Sequence, residues 1–493
     1  MERHLRETGE DHNIEIDCNK GAHLAKCRKP VRRPYGAAPV LRSEFNLSIT
    51  HMHITSARQE PHRPQFHFSA HRHWINDERN TSGLGIDGQP VLVACYTACL
   101  QTDAPGAPRQ VQDLAYSTDR GRTWTKYAGN PVLDIGLKDF RDPKVFWHAA
   151  TQRWVMVVVL PDERQARFYG SPNLREWTEL SRFEAPFEGQ GIWECPDLIE
   201  LTVEGGGTVW MLKVDVFGGH PSGETGARLF FGHFDGQRFI AEPEREPRWI
   251  DHGSDFYAAL SWSHLPQEPW NGRAVWLAWM SCHRYAPLTP TDPWRGAMTM
   301  PRMLHARHRD GLWRLVQTPV QTMQSLRLPS PHHGTAGARP TPLQADETLT
   351  LLSTTQQGLC AEVHWTLEEL QGPVNAVLRL VAGERPDVRA EDADAHVVEV
   401  GYDALRGELY IDRSRSGVIP GGDDRYAGRR RVACRAPMPG RPLSLQVWWD
   451  WSSVEVLADD GEVALTEQCY PLAAYSRLEV VAQHGAIPRS TLA

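Results

Sequence analysis

The sequence predicts an all-β protein, a β-propeller followed by a β-sandwich. From residue 94 to residue 326 the chain reads as short strand-forming runs between Gly, Pro, Asn and Asp turns, with almost no helical periodicity. Three acidic residues in this region, Asp142, Glu194 and Asp255, stand 52 and 61 residues apart. Four-stranded propeller blades recur every ~40–50 residues, and at longer intervals where insertions occur. One acid per blade would therefore bring these three residues together near a central axis.

Individual runs support both halves of this prediction. Residues 154–160 form a strand-like apolar run, and the hairpin signals at 119–121 and 235–236 are flanked by aromatic or β-branched residues. The sandwich is predicted from further strand-like runs, at residues 397–400, 408–412, 443–449, 454–457 and 462–466. The alternation of Leu445, Val447 and Trp449 predicts one buried face and one solvated face.

A chain of 493 residues exceeds one ordinary hydrophobic core, so at least two domains are expected. We divide the chain into an unassigned, disordered leader (1–60), a catalytic propeller (61–328), a linker rich in Pro, Gly and His (329–342) and a sandwich (343–493). The 18 tryptophans suit a globular protein with aromatic-lined surfaces, as sugar-binding proteins often have.

Composition excludes several classes of function. A formal net charge of −8 argues against nucleic acid as a main partner. Nine cysteines, without paired CxxC spacing, indicate neither a disulfide framework nor a zinc site. The first 30 residues lack the apolar run of a signal peptide, and the longest purely apolar run, 155–160, is too short to cross a bilayer. A cytoplasmic protein without a membrane partner is expected; the oligomeric state is not predicted.

Two features of the N-terminal part allow alternative interpretations. The basic run at 28–34 fits either a nucleic-acid-binding arm or a leader without function, and we predict the leader. Histidines crowd the following segment, at positions 51, 53, 62, 67, 71 and 73. Because their spacing matches no recognisable metal-binding scaffold, we predict structural roles and no metal site.

Three motifs place an acid beside aromatic or apolar neighbours at the edge of a strand-like segment. They are Trp74-Ile75-Asn76-Asp77, Asp139-Phe140-Arg141-Asp142-Pro143 and Trp193-Glu194-Cys195-Pro196-Asp197. Taken alone, Asp142 could simply cap a strand with Arg141 as its partner. Pro143 disfavours helical geometry at Asp142, so extended backbone is expected there. Because two similar acidic motifs occur elsewhere in the chain, we favour a functional role for Asp142.

In this order the three motifs resemble the acidic motifs of glycoside hydrolase family 32, the β-fructosidases that include invertases, levanases and exo-inulinases. Further similar segments are found at residues 114–117, 121–124, 130–133, 255–258 and 294–296. The resemblance implies a five-bladed propeller followed by a β-sandwich, and a hydrolase that releases fructose from sucrose or β-fructans. It implies sucrose or a fructan as the partner, and no metal or organic cofactor.

The resemblance also implies a role for each acid in a retaining mechanism. Asp77 would be the nucleophile, and Glu194 the general acid that later acts as the base. Asp142 would stabilise the cationic transition state. The apolar neighbours Trp193 and Cys195 are expected to disfavour the charged form of Glu194. Substrate contacts are implied for Asn76, Arg141, Asp255, Tyr257 and Trp294; for Trp294, as for Trp279, a core position is an equal alternative.

Two departures from the family pattern concern the site. Asp77 is followed by Glu78, Arg79 and Asn80, and the residues from Thr81 onwards already resemble the family pattern beyond the first blade. The resemblance therefore implies that about one blade, on the order of 50 residues, is missing. His283 stands where the family commonly has a pocket tryptophan. A truncated first blade and reduced activity are therefore expected. The alternatives are a non-catalytic or degenerate fructan-binding protein, a fructosyltransferase and, least favoured, an arabinan-cleaving propeller hydrolase.

Overall fold

The computed structural model shows a protein whose regular secondary structure is almost entirely β-strand, and all of its described residues belong to one compact unit. The leader predicted at 1–60 lies outside the described residues. Residues described by the structure are 62–64, 67–68, 73–74, 81–86, 89–100, 108–185, 191–222, 225–244, 246–262, 265, 270–327, 339–353, 359–383 and 396–492.

The N-terminal two-thirds of this unit contains four antiparallel sheets in chain order, each largely a meander of neighbouring strands. Sheet A consists of β2 (Thr81–Ile86), β3 (Gln89–Leu100), β4 (Arg109–Ser117) and β5 (Thr125–Lys126). Sheet B consists of β6 (Arg141–His148), β7 (Arg153–Leu160), β8 (Gln165–Ser171) and β9 (Thr178–Glu184). Sheet C consists of β10 (Ile192–Thr202), β11 (Thr208–Phe217), β12 (Thr225–Phe234), β13 (Phe239–Ala241) and β14 (Arg248–Trp249). Sheet D consists of β15 (Tyr257–Ser261), β16 (Ala274–Met280), β18 (Ala297–Met298), β19 (Arg302–Arg309) and β20 (Leu312–Pro319).

Successive sheets pack face to face, and β7 shows how the sequence produces this. Val155, Val157 and Val159 on one face of β7 join the core shared with sheet C. The alternate residues, among them Met156 and Val158, join the core shared with sheet A. A strand buried on both faces reads as a continuous apolar run, so the strand predicted at 154–160 is confirmed. The hairpin turns predicted at 119–121 and 235–236 are also confirmed.

A short parallel pair connects the start of the first acidic motif to a segment of the chain beside sheet D. Strand β1 (His73–Trp74) pairs with β17 (Trp294–Arg295), and the N–H of Met298 donates to the carbonyl of Phe68 at 2.8 Å. Sheets A to D are the four blade-like sheets among the described residues, so the count of five blades stays a prediction.

The C-terminal third is a sandwich of two six-stranded sheets. In spatial order, sheet E consists of β21 (Arg339–Pro340), β32 (Ala486–Leu492), β23 (Ala361–Gln371), β28 (Leu443–Asp450), β29 (Ser453–Ala458) and β30 (Val463–Gln468). Sheet F consists of β22 (Thr348–Ser353), β31 (Tyr475–Gln483), β24 (Asn375–Ala382), β25 (Val397–Asp403), β26 (Glu408–Arg415) and β27 (Arg429–Ala433). Each strand predicted in this region is confirmed. Short 3₁₀ helices lie among the described residues at Ala149–Thr151, Ala286–Leu288, Gln321–Leu326 and Pro420–Gly422.

The predicted solvated outer face is confirmed for only part of sheet E. Leu445, Val447 and Trp449 do point into the sandwich core. The alternate residue Trp448 is also buried, because it packs against Met300 of the N-terminal part. Ser444 and Gln446, on the same face of β28, stay partly exposed, so the polar face is lost only where the N-terminal part covers the sheet. In the described part of the chain, no helix is long and apolar enough to cross a membrane.

Candidate functional site

Strands β6, β10 and β15 share an irregularity of the backbone near their first residues. In each strand the pairing register shifts after the first residues, which marks a β-bulge. The bulges contain Asp142, Cys195 and Ala258 with φ of 64°, 45° and 52°. The extended backbone predicted for Asp142 is therefore wrong, because the bulge places this residue in the left-handed region despite the proline that follows it.

The residues preceding these three bulge positions meet around one carboxylate. Arg141 Nη2 donates to Glu194 Oε1 at 2.8 Å, and the hydroxyl of Tyr257 donates to Glu194 Oε2 at 2.5 Å. The Glu194 side chain keeps 17% of its surface exposed, whereas Tyr257 is buried. Burial and the nearby Glu194 raise the pKa of Tyr257 well above its ordinary value, so its hydroxyl keeps its proton and donates. Sheets B, C and D thus each contribute one residue to an accessible carboxylate.

This setting corrects the predicted apolar environment of Glu194. Successive side chains of a strand point to opposite faces, and Trp193 is buried with Phe183 and Phe230 in the core between sheets B and C. The carboxylate of Glu194 instead faces a guanidinium and a phenol. A second carboxylate, Asp142, lies on β6 of the neighbouring sheet B.

Asp142 is held by two hydrogen bonds, one to its side chain and one from its own backbone N–H. Its Oδ2 accepts the N–H of Cys195 at 2.9 Å, and its own N–H donates to Thr97 Oγ1 at 2.9 Å. Burial, followed by the charge of Glu194, raises the pKa of Asp142 to about 6, and Arg141 opposes the shift. Asp142 therefore links sheets A, B and C at the centre of the site.

Arg141 is the cation shared by these acids. Besides Glu194 it contacts Asp139 at 3.2 Å and Asp142 at 3.9 Å. Burial works against its charge, yet Asp142 and Glu194 together raise the pKa of Arg141 above its ordinary value. Arg141 therefore lies between three carboxylates, and the substrate contact predicted for it stays a prediction.

A buried ion pair under the site was missed by the sequence reasoning. Lys213 and Asp215 on β11 are fully buried and contact each other, and Asp215 pairs in register with Glu194. Lys213 Nζ also donates to the carbonyl of Cys195 at 2.9 Å, which supports the bulge after Glu194. The available signal was two charged residues, two positions apart, within an otherwise apolar strand.

His283 forms a wall beside Tyr257. Its ring lies 5.0 Å from the ring of Tyr257 in a T-shaped contact, 4.9 Å from that of Trp279 and 5.4 Å from that of Phe217. Burial lowers the pKa of His283, an effect that Glu194 opposes. Trp279, for which the sequence leaves a core position and a substrate contact as equal alternatives, is fully buried, which favours the core position.

Two residues predicted to contact the substrate, Asp255 and Trp294, are buried. Asp255 is fully buried and both of its carboxylate oxygens accept hydrogen bonds, from Tyr285, Gln468 and Arg413. The predicted sugar contact is therefore wrong for Asp255, because its partners come largely from the C-terminal sandwich. Trp294 is 1% exposed, stacked under the guanidinium of Arg63 at 4.8 Å, which again favours the core.

Asn76 and Asp77 lie outside the described residues, so their placement stays a prediction. Of the clustered histidines, His67 binds two carboxylates of the sandwich, Asp450 at 3.0 Å and Glu455 at 2.7 Å. Among the described residues, no group of three or more His, Cys, Asp or Glu side chains is arranged to hold a metal ion.

Comparison with family models gives two matches. The family model described as Glycosyl hydrolases family 32 N-terminal domain matches residues 68–319. The model described as Glycosyl hydrolases family 32 C terminal matches residues 342–492.

Similar proteins and structures agree with these matches. A levanase of Bacillus subtilis (strain 168) is 37% identical over 425 residues, which cover 85% of this chain and 58% of the levanase. An extracellular exo-inulinase of Aspergillus niger is 32% identical over 422 residues, covering 80% of this chain and 74% of that protein. The crystal structure of exo-inulinase from Aspergillus awamori superimposes with a TM-score of 0.75 at 26% identity, covering 88% of this chain and 98% of the other. A fructofuranosidase from Schwanniomyces occidentalis complexed with fructose gives 0.68 at 26% identity, covering 82% and 78%.

Proposed function

Because the chain belongs to glycoside hydrolase family 32, a family of fructofuranosidase-type glycosidases, we propose that it releases fructose from sucrose or from a β-fructan such as levan or inulin. The observation that carries this proposal is the accessible carboxylate of Glu194, held by Arg141 and Tyr257 with Asp142 beside it. Glycoside hydrolysis uses two carboxyl groups that flank the scissile bond, and Glu194 would supply one of them.

The proposed chemistry is a retaining double displacement. Asp77 attacks the anomeric carbon of the fructosyl unit while Glu194 gives its proton to the departing oxygen. Glu194 then takes a proton from water, whose oxygen attacks the fructosyl ester and frees Asp77. Asp142 stabilises the positive charge that develops on the sugar, because its carboxylate is fixed by the Cys195 N–H before the substrate arrives.

The role of Asp77 rests on the family likeness and on the chain that precedes it. Trp74, three residues earlier, pairs with Arg295 in the segment that leads into β18. Met298 of β18 pairs with Trp279, and Trp279 pairs with Tyr257. The backbone at the start of the first acidic motif is thus connected to the sheet that carries Tyr257.

Fructose release by the purified chain tests this function. Sucrose, levan and inulin are each offered, and the products are separated by chromatography. Glu194→Ala and Asp77→Ala should each abolish release without unfolding the protein. Glu200→Gln is the matched control, because Glu200 is an exposed acid on the same strand. No fructose from any of the three substrates would contradict the proposal.

Two measurements address the retaining mechanism and the transfer alternative. The first product anomer, observed by NMR, should keep the β configuration. Azide should restore partial fructosyl transfer in Glu194→Ala when the substrate has a good leaving group. Oligosaccharides longer than the substrate at high sucrose concentration would instead favour a fructosyltransferase.

We further propose that sheets A to D are blades of a five-bladed propeller whose first blade is truncated after Asp77. A missing blade leaves the apolar faces of its neighbours exposed to water, which lowers the stability of the fold by about 25 cal/mol per Å² of exposed apolar surface. Activity should therefore lie well below the usual kcat range, roughly 1–10³ s⁻¹. Inserting a first-blade segment of an intact relative between Asp77 and Thr81 should raise both the melting temperature and fructose release. A typical kcat in the unmodified chain would show that the shortening is tolerated.

The shortened segment also suggests a second candidate function, that of a non-catalytic fructan-binding protein. Calorimetry with a fructo-oligosaccharide separates the two, since binding without turnover supports the second function and turnover rejects it. A cytoplasmic location is likewise a proposal, to be tested by cell fractionation.

A further inference from the structure

The loop that leads into β15 is attached to the edge strand of the C-terminal sandwich. His252 N–H donates to the carbonyl of Ala464 at 2.8 Å, and Asp255 N–H to that of Thr466 at 3.1 Å. Between them, Ser254 N–H donates to Glu467 Oε1 at 2.6 Å. Residues 252–255 therefore run along β30, and Tyr257 follows two residues later.

Arg413 of β26 lies at the centre of this contact. The side chain is fully buried, and Nη1 donates to Asp255 Oδ2 at 2.8 Å. Nη2 donates to the hydroxyl of Tyr285 at 3.1 Å, and that hydroxyl donates to Asp255 Oδ1 at 2.5 Å. The guanidinium also stacks on Tyr426 at 3.8 Å from the ring centroid. One cation thus closes a ring with an acid and a phenol from the N-terminal part.

Both residues held by Arg413 stand two positions from the walls of the candidate site. Asp255 precedes Tyr257, which donates to Glu194. Tyr285 follows His283, whose ring packs against that of Tyr257. A displacement of either segment would therefore move the phenol that orients the Glu194 carboxylate.

We propose that Arg413 is a positioning residue of the Glu194 site, through which the sandwich aligns Tyr257 and His283. The inference rests on the proposed function and adds to it a catalytic dependence on the C-terminal sandwich. Buried ion pairs often add little net stability, since desolvation offsets the attraction between the charges. The planar guanidinium of Arg413, with several donors in fixed positions, can instead specify one arrangement of the chain, which an ammonium group does not reproduce.

A pair of tyrosine variants tests the proposal with matched chemistry. Tyr285→Phe and Tyr426→Phe each remove one buried hydroxyl beside Arg413. The Tyr285 hydroxyl binds Asp255, whereas the Tyr426 hydroxyl donates to the carbonyl of Gln468 within the sandwich, at 2.9 Å. We expect Tyr285→Phe to lower kcat for fructose release several-fold with little change in KM. Tyr426→Phe should lower the melting temperature while kcat stays at the wild-type value.

Arg413→Lys extends the test, because it keeps the charge and loses the planar fork. At a temperature where this variant is folded, kcat should fall on the order of 100-fold, the scale on which a misplacement of about 1 Å acts. If Arg413→Lys does not fold, the two tyrosine variants decide.

Hydrogen exchange gives a readout that needs no activity. Amides of residues 257–261 and 281–285 should exchange faster in Tyr285→Phe than in Tyr426→Phe. Equal kcat and equal exchange in the two variants would overturn the proposal. A wild-type protein that releases no fructose would refute the proposed function instead, and the exchange comparison would then decide the role of Arg413.

Discussion

Replacing Asp142 by asparagine should stabilise the folded protein at neutral pH while removing its activity. The pKa of Asp142 lies near 6 in the folded chain, against an ordinary value of 3.8, first because of burial and then because of Glu194. The folded state therefore holds this proton to a higher pH than the unfolded chain does. Stability falls as the pH rises from about 4 to about 6, and the loss persists above that range.

The size of this loss follows from the two pKa values. Their difference is 6 − 3.8, about 2, and each pKa unit corresponds to about 1.4 kcal/mol, so ionised Asp142 costs about 3 kcal/mol at pH 7. Asparagine has nearly the same shape, carries no charge, and its carbonyl can still accept the Cys195 N–H. Asp142→Asn should thus be more stable than wild type at pH 7 and equally stable near pH 3.

Calorimetric melting of both proteins between pH 3 and pH 8 measures this difference, and fructose release measures the accompanying loss. Removing one preorganised electrostatic group typically lowers kcat about 10²–10³-fold. Asp139→Asn is the control, because Asp139 contacts the same Arg141 without a bond to Cys195. A melting temperature for Asp142→Asn at or below the wild-type value at pH 7, or a difference that does not vary with pH, would refute the reasoning.

Three further predictions follow from single contacts. Tyr257→Phe removes the hydroxyl 2.5 Å from Glu194, a charge-assisted bond of about 1.5–3 kcal/mol, and should lower kcat in a folded protein; unchanged kinetics would show that this bond is dispensable. Burial lowers the pKa of His283, so the folded protein loses stability as the pH falls below about 6.5. The variant His283→Phe should therefore show a smaller difference between its melting temperatures at pH 7 and pH 5 than the wild type does. An unaltered difference would contradict this. A Cβ on Gly253 would lie 2.0 Å from the carbonyl oxygen of Thr466, so Gly253→Ala should lower the melting temperature through a strain of about 1–3 kcal/mol. Gly383→Ala, whose nearest contact is the Ser476 hydroxyl at 3.3 Å, should be milder, and equal effects would count against the steric argument.

Strand positions and the acids of the site could be predicted from the sequence because both are local signals. The apolar run at 154–160 became a strand buried on both faces, and the sandwich strands lie where alternation indicated them. The motifs around Asp142 and Glu194 identified two carboxylates that the structure brings into one site. Neighbouring residues suffice for such predictions, since strand periodicity and turn chemistry act over a few residues.

The tertiary structure alone decided which side chains surround those acids. Tyr257 lies 63 residues beyond Glu194 in the chain, and Arg413 lies 158 residues beyond Asp255. Asp255 looked like a sugar ligand beside Tyr257, but the sandwich packs over it and supplies a buried cation. Part of the solvated face predicted for sheet E is likewise covered, where Trp448 packs against Met300 of the N-terminal part. Burial and pairing of a charge depend on which distant surfaces meet, and no local pattern in the chain carries that information.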